Sequence, residues 1–471
     1  MDWIALSHLV KSIIADTTIP DLSEIDDLLA QASSDSLTLA QSNRLLSAVL
    51  AQSPAGICQR LMDVSAKTRR RVFGDRVVIM APIEVSNVCA SDCLFCGWRS
   101  SNKEMRRLRQ TTDLIMPQVD YLIDKGIDYI ELVGGDDFRY VRDQVPQIVP
   151  LVKQQLQRRG HRGVVCVCSM AMTANHYRQW KEWGVDAMFV WQETYDPDVY
   201  ARHILAGPKA HGITDDYKLG PKGSGYQFRL DAQERAMRAG LDVALGVMLG
   251  LSSSPHFELL MLLQHTRHLL DLECGQGSQI ILGMPTWNKL TTPATDLRPR
   301  LEINLKQFSP IYAALLFLCL PKGRPWVFPT CRVSEDPHIT AVDIAGPFTC
   351  TEINLGPGGY LPRLIKQRQI QGLPTAALMR QLQTWMRSQS EDLDAYQQQL
   401  DAAEQFMHYH HQHDQLAAAM HRRNLRFVST EELLEVSLHA ARTHHRPFAA
   451  TPLQPLTHTS STTITPPSVI S

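Results

Sequence analysis

The sequence predicts an α/β protein, a (β/α)8 barrel of the TIM type with an N-terminal helical region and a C-terminal helical extension. Two observations carry that expectation. From Arg71 onward, eight short runs rich in β-branched and aromatic residues alternate with amphipathic helical stretches. They occupy about 295 residues, near the roughly 250 that such a barrel uses. On either side of this block the apolar residues recur at helical spacing instead. A doubly wound open sheet is the competing α/β arrangement.

Taken in order, residues 1–70 form the N-terminal helical region. Leu22, Ile25, Leu28, Leu29 and Ala32 fall on one helical face, and a second helix runs from Leu39 to Ala51. Thr38 followed by Gln41 has the form of a capping box at its start. Residues 71–365 form the barrel. Its strands are expected at Arg76–Val85, Tyr129–Val133, Val164–Ser169, Ala187–Trp191, Val243–Met248, Gln279–Leu282, Trp326–Pro329 and Phe348–Ile353. Ala206–Gly225, rich in Gly, Lys and Pro, reads as a long loop, the usual place for a lid or an insertion. Residues 366–447 form the C-terminal helical extension, and the polar residues 448–471 a disordered tail.

Composition excludes several partner classes. Lys+Arg (47) and Asp+Glu (48) nearly cancel, so no global field draws the protein to nucleic acid or an anionic membrane. The longest apolar run, Ile311–Leu320, is about half what a bilayer needs. The N-terminus lacks the pattern of a secretory signal, which predicts a cytoplasmic protein with reduced thiols.

Three of the ten cysteines crowd into one loop, and there the chemistry concentrates. Cys89, Cys93 and Cys96 follow the first strand in CxxxCxxC spacing, at the C-terminal face where barrel active sites sit. Thiolates converging from a short loop suit a cubane iron–sulfur cluster. Three ligands for four irons leave one iron open to a chelating α-amino-carboxylate such as the methionyl end of S-adenosylmethionine (SAM). Zinc is the plainer alternative. It would want a fourth Cys or His nearby, and the next candidates are His161 and Cys166.

Other clusters have bland readings. Cys166 and Cys168 alternate on one strand face, as small buried hydrophobes do. Arg106, Arg107 and Arg109 read as a solvated face or a dock for an acidic electron donor. His408, His410, His411 and His413 lie in a helical pattern, with His410 and Asp414 sharing a face, where metal binding would be adventitious.

From about Arg70 to Tyr360 the sequence resembles the radical SAM superfamily, in particular the group of biotin synthase, the hydrogenase maturases, 2-iminoacetate synthase (the tyrosine lyase of thiamine biosynthesis) and the tryptophan lyase. The motifs that carry the resemblance occur in order: SNVCASDCLFCGWRSSN, LVGGDD, WQETYDPDVYARHILAGPK, YQFRLDAQERAMRAGL, LGVMLGL and PTCRVSEDPH with GPGGY. The resemblance implies a [4Fe–4S] cluster on the three cysteines and SAM as its ligand. It implies that Gly134, Gly135 and Asp136 receive the SAM amino group, with Asp136 in place of the family's Glu. It further implies that Glu193 faces the cofactor, Arg235 pairs with the SAM carboxylate, and Gly246 and Gly250 let the backbone approach adenine. Arg332 would hold the carboxylate of an amino-acid substrate, and a flavodoxin or ferredoxin would deliver electrons.

Departures from the pattern bear on the substrate. The lyases carry Pro-Leu-Tyr before the cysteine loop, and this chain has Pro82-Ile83-Glu84. Glu84 would place a carboxylate or proton donor beside the substrate. Their Pro-Arg-Leu near the sixth strand is Pro285-Thr286-Trp287 here. No cysteine follows Cys350, which disfavours the maturase activity that needs a second cluster. The resemblance thus points to a radical lyase acting on a free amino acid, with aromatic ones among the candidates. A biotin-synthase-like or mutase-like reaction is an alternative, and a non-catalytic iron–sulfur carrier is another of a different class.

Overall fold

A computed structural model describes residues 1–272, 277–290, 304–352 and 356–444. Its centre is a set of eight parallel strands: β1 (Arg76–Ser86), β2 (Tyr129–Gly134), β3 (Val164–Cys168), β4 (Ala187–Phe189), β5 (Asp242–Gly246), β6 (Ile280–Gly283), β7 (Trp326–Phe328) and β8 (Phe348–Cys350). All eight match the strands expected from the sequence, within a few residues at each end. Ile353, the expected end of the last one, lies outside the described residues.

Hydrogen bonds join the strands in the order β7-β6-β5-β4-β3-β2-β1-β8. This is the parallel, helix-wrapped (β/α)8 arrangement that the alternation predicts, here as a partial barrel. Among the described residues, no backbone ladder closes β7 onto β8. Side chains fill that seam. Phe348 meets Phe328 edge-on at 5.1 Å and stacks on Trp326 at 5.9 Å. The Thr349 hydroxyl donates to the Pro329 carbonyl at 3.1 Å.

The strand residues are buried on both faces, as parallel strands under helices must be. Four helices precede the barrel: Trp3–Ala15, Leu22–Ser34, Leu39–Ala51 and Ile57–Phe73. The capping box at Thr38 and Gln41 is formed in both directions. Their apolar faces merge with the barrel into one continuous hydrophobic core.

Two segments differ from expectation. The stretch 206–225 is not a loose loop, since it contains the short helix Pro208–His211 and is stitched to the cysteine loop. The C-terminal region is helical at Ala376–Met386, Leu393–Asp401 and His413–Arg422, but residues 402–412 form a non-helical strap between the last two. The histidine run therefore does not share a helix face. After the strap, β9 (Arg426–Phe427) adds in parallel to the start of β1. The tail 448–471 lies outside the described residues.

Candidate active site

The cysteine loop leaves β1 at Ser86 and is held in place from three directions. Arg107 donates to the carbonyls of Asn87, Trp98, Arg99 and Asn102 at 2.7–3.0 Å, so one guanidinium organises the whole turn. Arg109 pairs with the buried Asp137 at 2.7 Å, and Arg106 reaches Gln399 at 2.8 Å. These three arginines build the loop and tie it to the extension. The solvated-face reading is corrected for the half-buried Arg107 and Arg109, while Arg106 stays exposed.

The end of β2 presses against the same loop. A Cβ on Gly135 would collide with the Val88 carbonyl oxygen and stand 2.9 Å from Cys89 Cβ, which explains a glycine there. Asp136 is buried beside it. Its amide donates to Cys89 Sγ at 3.4 Å, its carbonyl accepts from Ala90 at 2.9 Å, and its carboxylate accepts from the Ser91 hydroxyl.

The third hold comes from the strap. Gly97 donates to the Gln405 carbonyl at 2.9 Å and Trp98 to the Ala403 carbonyl at 3.0 Å. Gln405 donates through Nε2 to Cys96 Sγ at 2.9 Å.

Cys89, Cys93 and Cys96 all line one cavity of about 160 Å³ at the C-terminal ends of the strands. Burial pushes all three thiols up in pKa, and the neighbouring Lys209 charge works the other way. Buried thiols of this kind become thiolates when a cationic metal core takes the place of their protons. The residues present therefore fit an iron–sulfur cluster: three convergent sulfurs, two of which already accept hydrogen bonds from Gln405 and the Asp136 amide. Such outer contacts set the orientation and potential of a cluster ligand.

The same cavity gathers Glu84, Glu131, Gly134, Gly135, Asp136, Glu193, Lys209, Arg229, Met248 and Arg332. Glu193 has a left-handed backbone (φ 69°), rare for a residue with a side chain and frequent at functional sites. Its carboxylate meets Lys209 Nζ at 2.8 Å and Arg229 at 3.3 Å. Burial opposes its charge, but Lys209 and then Arg229 outweigh it and hold the carboxyl below its ordinary range.

Glu84 points into the barrel, as the sequence suggested. Its Oε2 accepts from the Gly356 amide at 2.6 Å. Burial, reinforced by Glu404, raises its pKa far above that of an ordinary carboxyl. Burial likewise lifts Glu131 to about 7. Both can carry a proton beside a ligand.

Arg332 stacks on Phe406 at 3.8 Å from the ring centroid, and burial brings it down to about 10. It makes no ion pair among the described residues.

Two expectations are corrected. Arg235 does not face the cavity. Its guanidinium lies over the Phe228 ring and donates to the carbonyls of Met172 and Phe228 at 3.1 and 2.6 Å. Arg229, six residues earlier in the same motif, lines the cavity instead and pairs with Glu193. Gly246 and Gly250 do not line the cavity either, and between them Met248 does. Gly246 is needed where β5 meets the Gly283 backbone.

Sequence reasoning missed Lys209, Arg229, Glu131, Gln405, Phe406 and His408. Lys209 and Arg229 lie inside the segments WQETYDPDVYARHILAGPK and YQFRLDAQERAMRAGL. The three strap residues carried no signal beyond a histidine-rich run.

The family model for the radical SAM superfamily matches residues 83–260. Among curated proteins, the chain is 27% identical over 222 residues to 2-iminoacetate synthase of Salmonella typhimurium, covering 47% of this chain and 53% of that one. It is 30% identical over 208 residues to the [FeFe] hydrogenase maturase subunit HydE of Thermotoga maritima, covering 44% and 53%. The chain thus spans about half the length of the curated relatives it matches. Among solved structures it resembles the hydrogenase maturase HydG of Carboxydothermus hydrogenoformans (TM-score 0.65, 20% identity, 85% and 94% covered). It also resembles methylornithine synthase PylB (TM-score 0.53, 17% identity, 79% and 100% covered). At these identities the structural matches speak for the fold.

Enzymes of this superfamily use a [4Fe–4S] cluster and SAM, and the cysteine loop with its surroundings fits that pair. Residues 83–260 of this chain are a radical SAM domain.

Proposed function

We propose that this radical SAM enzyme acts on a free amino acid, cleaving its Cα–Cβ bond as a lyase does. Cys89, Cys93 and Cys96 hold the cluster, with Asp136, Glu193, Arg229 and Met248 around SAM. When bound, the cluster and SAM supply a 5′-deoxyadenosyl radical. The chain's own work is to bind, orient and shield the substrate. The observation that carries this reading is Arg332, a cation on the cavity wall near Glu193 that makes no close ion pair among the described residues. Such a guanidinium suits the carboxylate of an amino acid.

Glu84 and Glu131 face the same space and are biased towards their protonated forms, so they suit a hydroxyl or amine on the substrate and can hold its proton. The strap residues Phe406 and His408 complete the wall and exclude water from a radical intermediate. Similarity to 2-iminoacetate synthase supports the lyase reading, and Glu84 in place of the lyases' tyrosine argues for a different side chain on the substrate.

The test is anaerobic reconstitution with reductant, SAM and a panel of amino acids, followed by mass spectrometry. A glycine-derived imine together with the departed side-chain fragment, lost in Arg332→Gln, is the expected result. 5′-Deoxyadenosine formation that no amino acid stimulates would overturn it.

A further inference from the structure

A second cluster of potential ligands lies across the seam between β7 and β8, where Cys331 and Cys350 reach the wall of the same cavity, and the proposed radical chemistry does not use it. Cys331 follows β7, His338 lies on the helix Glu335–Ile344 that connects β7 to β8, and His411 comes from the strap. One ligand atom from each lies within 4.8 Å of the other two, and all three residues are buried.

The two imidazoles are already oriented by hydrogen bonds. His338 Nε2 stands 2.6 Å from Thr349 Oγ1, whose own hydrogen goes to the Pro329 carbonyl. The proton between them therefore belongs to Nε2, which leaves Nδ1 with a lone pair. That Nδ1 is buried and has no hydrogen-bond partner. His411 Nε2 faces the Val333 carbonyl at 3.2 Å, which can only accept, so its Nδ1 also carries a lone pair. A ring whose far nitrogen is fixed by an oxygen acceptor is the usual arrangement of a metal-bound histidine. An orphaned buried nitrogen costs stability unless something fills its coordination.

We infer that Cys331, His338 and His411 bind a borderline divalent cation of the zinc class. One thiolate and two imidazoles are the donors such an ion takes, and three protein ligands leave room for a fourth. Cys350 Sγ, 3.0 Å from Cys331 Sγ, is a further donor at the same spot. Binding releases the Cys331 proton to solvent, with no redox change. The ion joins three elements that the sheet leaves unconnected: the end of β7, the following helix and the strap. It also fixes the backbone of Arg332, the residue next to Cys331. The inference does not depend on the substrate reading.

The test uses the full chain with the cluster cysteines removed (C89A/C93A/C96A), kept reduced, so that only the second site can bind. Cobalt(II) should enter at about one equivalent and give the visible bands of a thiolate-bound, tetrahedral ion. His338→Ala and His411→Ala should each weaken it by more than the roughly 10–100-fold attached to outer-shell partners. Thr349→Val, which keeps the three ligands and is the variant least prone to misfold, should weaken it within that range. In the unaltered protein, zinc should be found alongside iron by mass spectrometry. The absence of cobalt bands in the cluster-free protein, or bands that survive both histidine changes, overturns the site. A Cys331–Cys350 disulfide in the anaerobically purified, unaltered protein does so as well.

Discussion

The barrel is held in two different ways at two places around its axis. Between β1 and β2 the register runs from Met80↔Tyr129 to Glu84↔Val133 and, past a one-residue shift, to Ser86↔Gly134. Between β7 and β8 aromatic faces, one hydroxyl and a cluster of thiol and imidazole groups take over. The first side carries the cysteine loop, and the second carries Arg332. Backbone pairing fixes a strand whatever its side chains are, so the cluster ligands sit on the side least sensitive to sequence. The side that carries Arg332 depends on particular side chains, so exchanges there should leave the cysteine loop undisturbed.

The largest effect that would test this contrast is Cys93→Ala. It should abolish the cluster's absorbance and SAM cleavage while leaving the melting curve of the apoprotein almost unchanged. Substantial destabilisation would mean that the loop also supports the fold.

Phe348→Ala comes next. It should lower stability by about 3–5 kcal/mol, the usual loss for a buried ring. Hydrogen exchange should accelerate in β7 and β8 before β1 and β2. Equal acceleration around the barrel would erase the distinction between the two sides.

The pH response of Glu131 is smaller. Its folded pKa, about 7, lies above the ordinary carboxyl value, so its neutral form favours folding at low pH. That contribution is complete below about pH 4.5 and is lost as the pH rises through about 7. Urea unfolding near pH 5.5 and near pH 7.5 should differ by roughly 2 kcal/mol from this group. Glu131→Gln should flatten the difference, and an unchanged slope would assign it to other groups.

The smallest effect expected is that of Gln405→Leu. Removing the hydrogen bond to Cys96 Sγ should make the cluster harder to reduce by roughly 1 kcal/mol, or about 40 mV in an EPR-monitored titration. An unshifted potential would show that the strap covers the loop without tuning it.

The strands were legible because parallel strands buried on both faces read as apolar runs between helical stretches. The cysteine triplet was legible from spacing alone. Arg235 and Arg229 show where that legibility ends. They lie six residues apart in one motif, both buried enough to need partners, and only the turn between the helices Gly225–Leu230 and Ala232–Arg238 decides which faces the cavity. The strap was harder still. Gln405, Phe406 and His408 reach the cavity from more than 300 residues beyond the loop they cover, and no local periodicity encodes so distant a contact. The helical pattern of that region concealed the break at 402–412.

The contact between Gly97 and Gln405 constrains the order in which the holoprotein is assembled. A Cβ on Gly97 would run into the Gln405 carbonyl oxygen, so the two segments touch with no gap between them. Residue 405 leaves the ribosome long after the cysteines do. Iron and sulfide delivered during that interval would meet a loop that the strap does not yet touch.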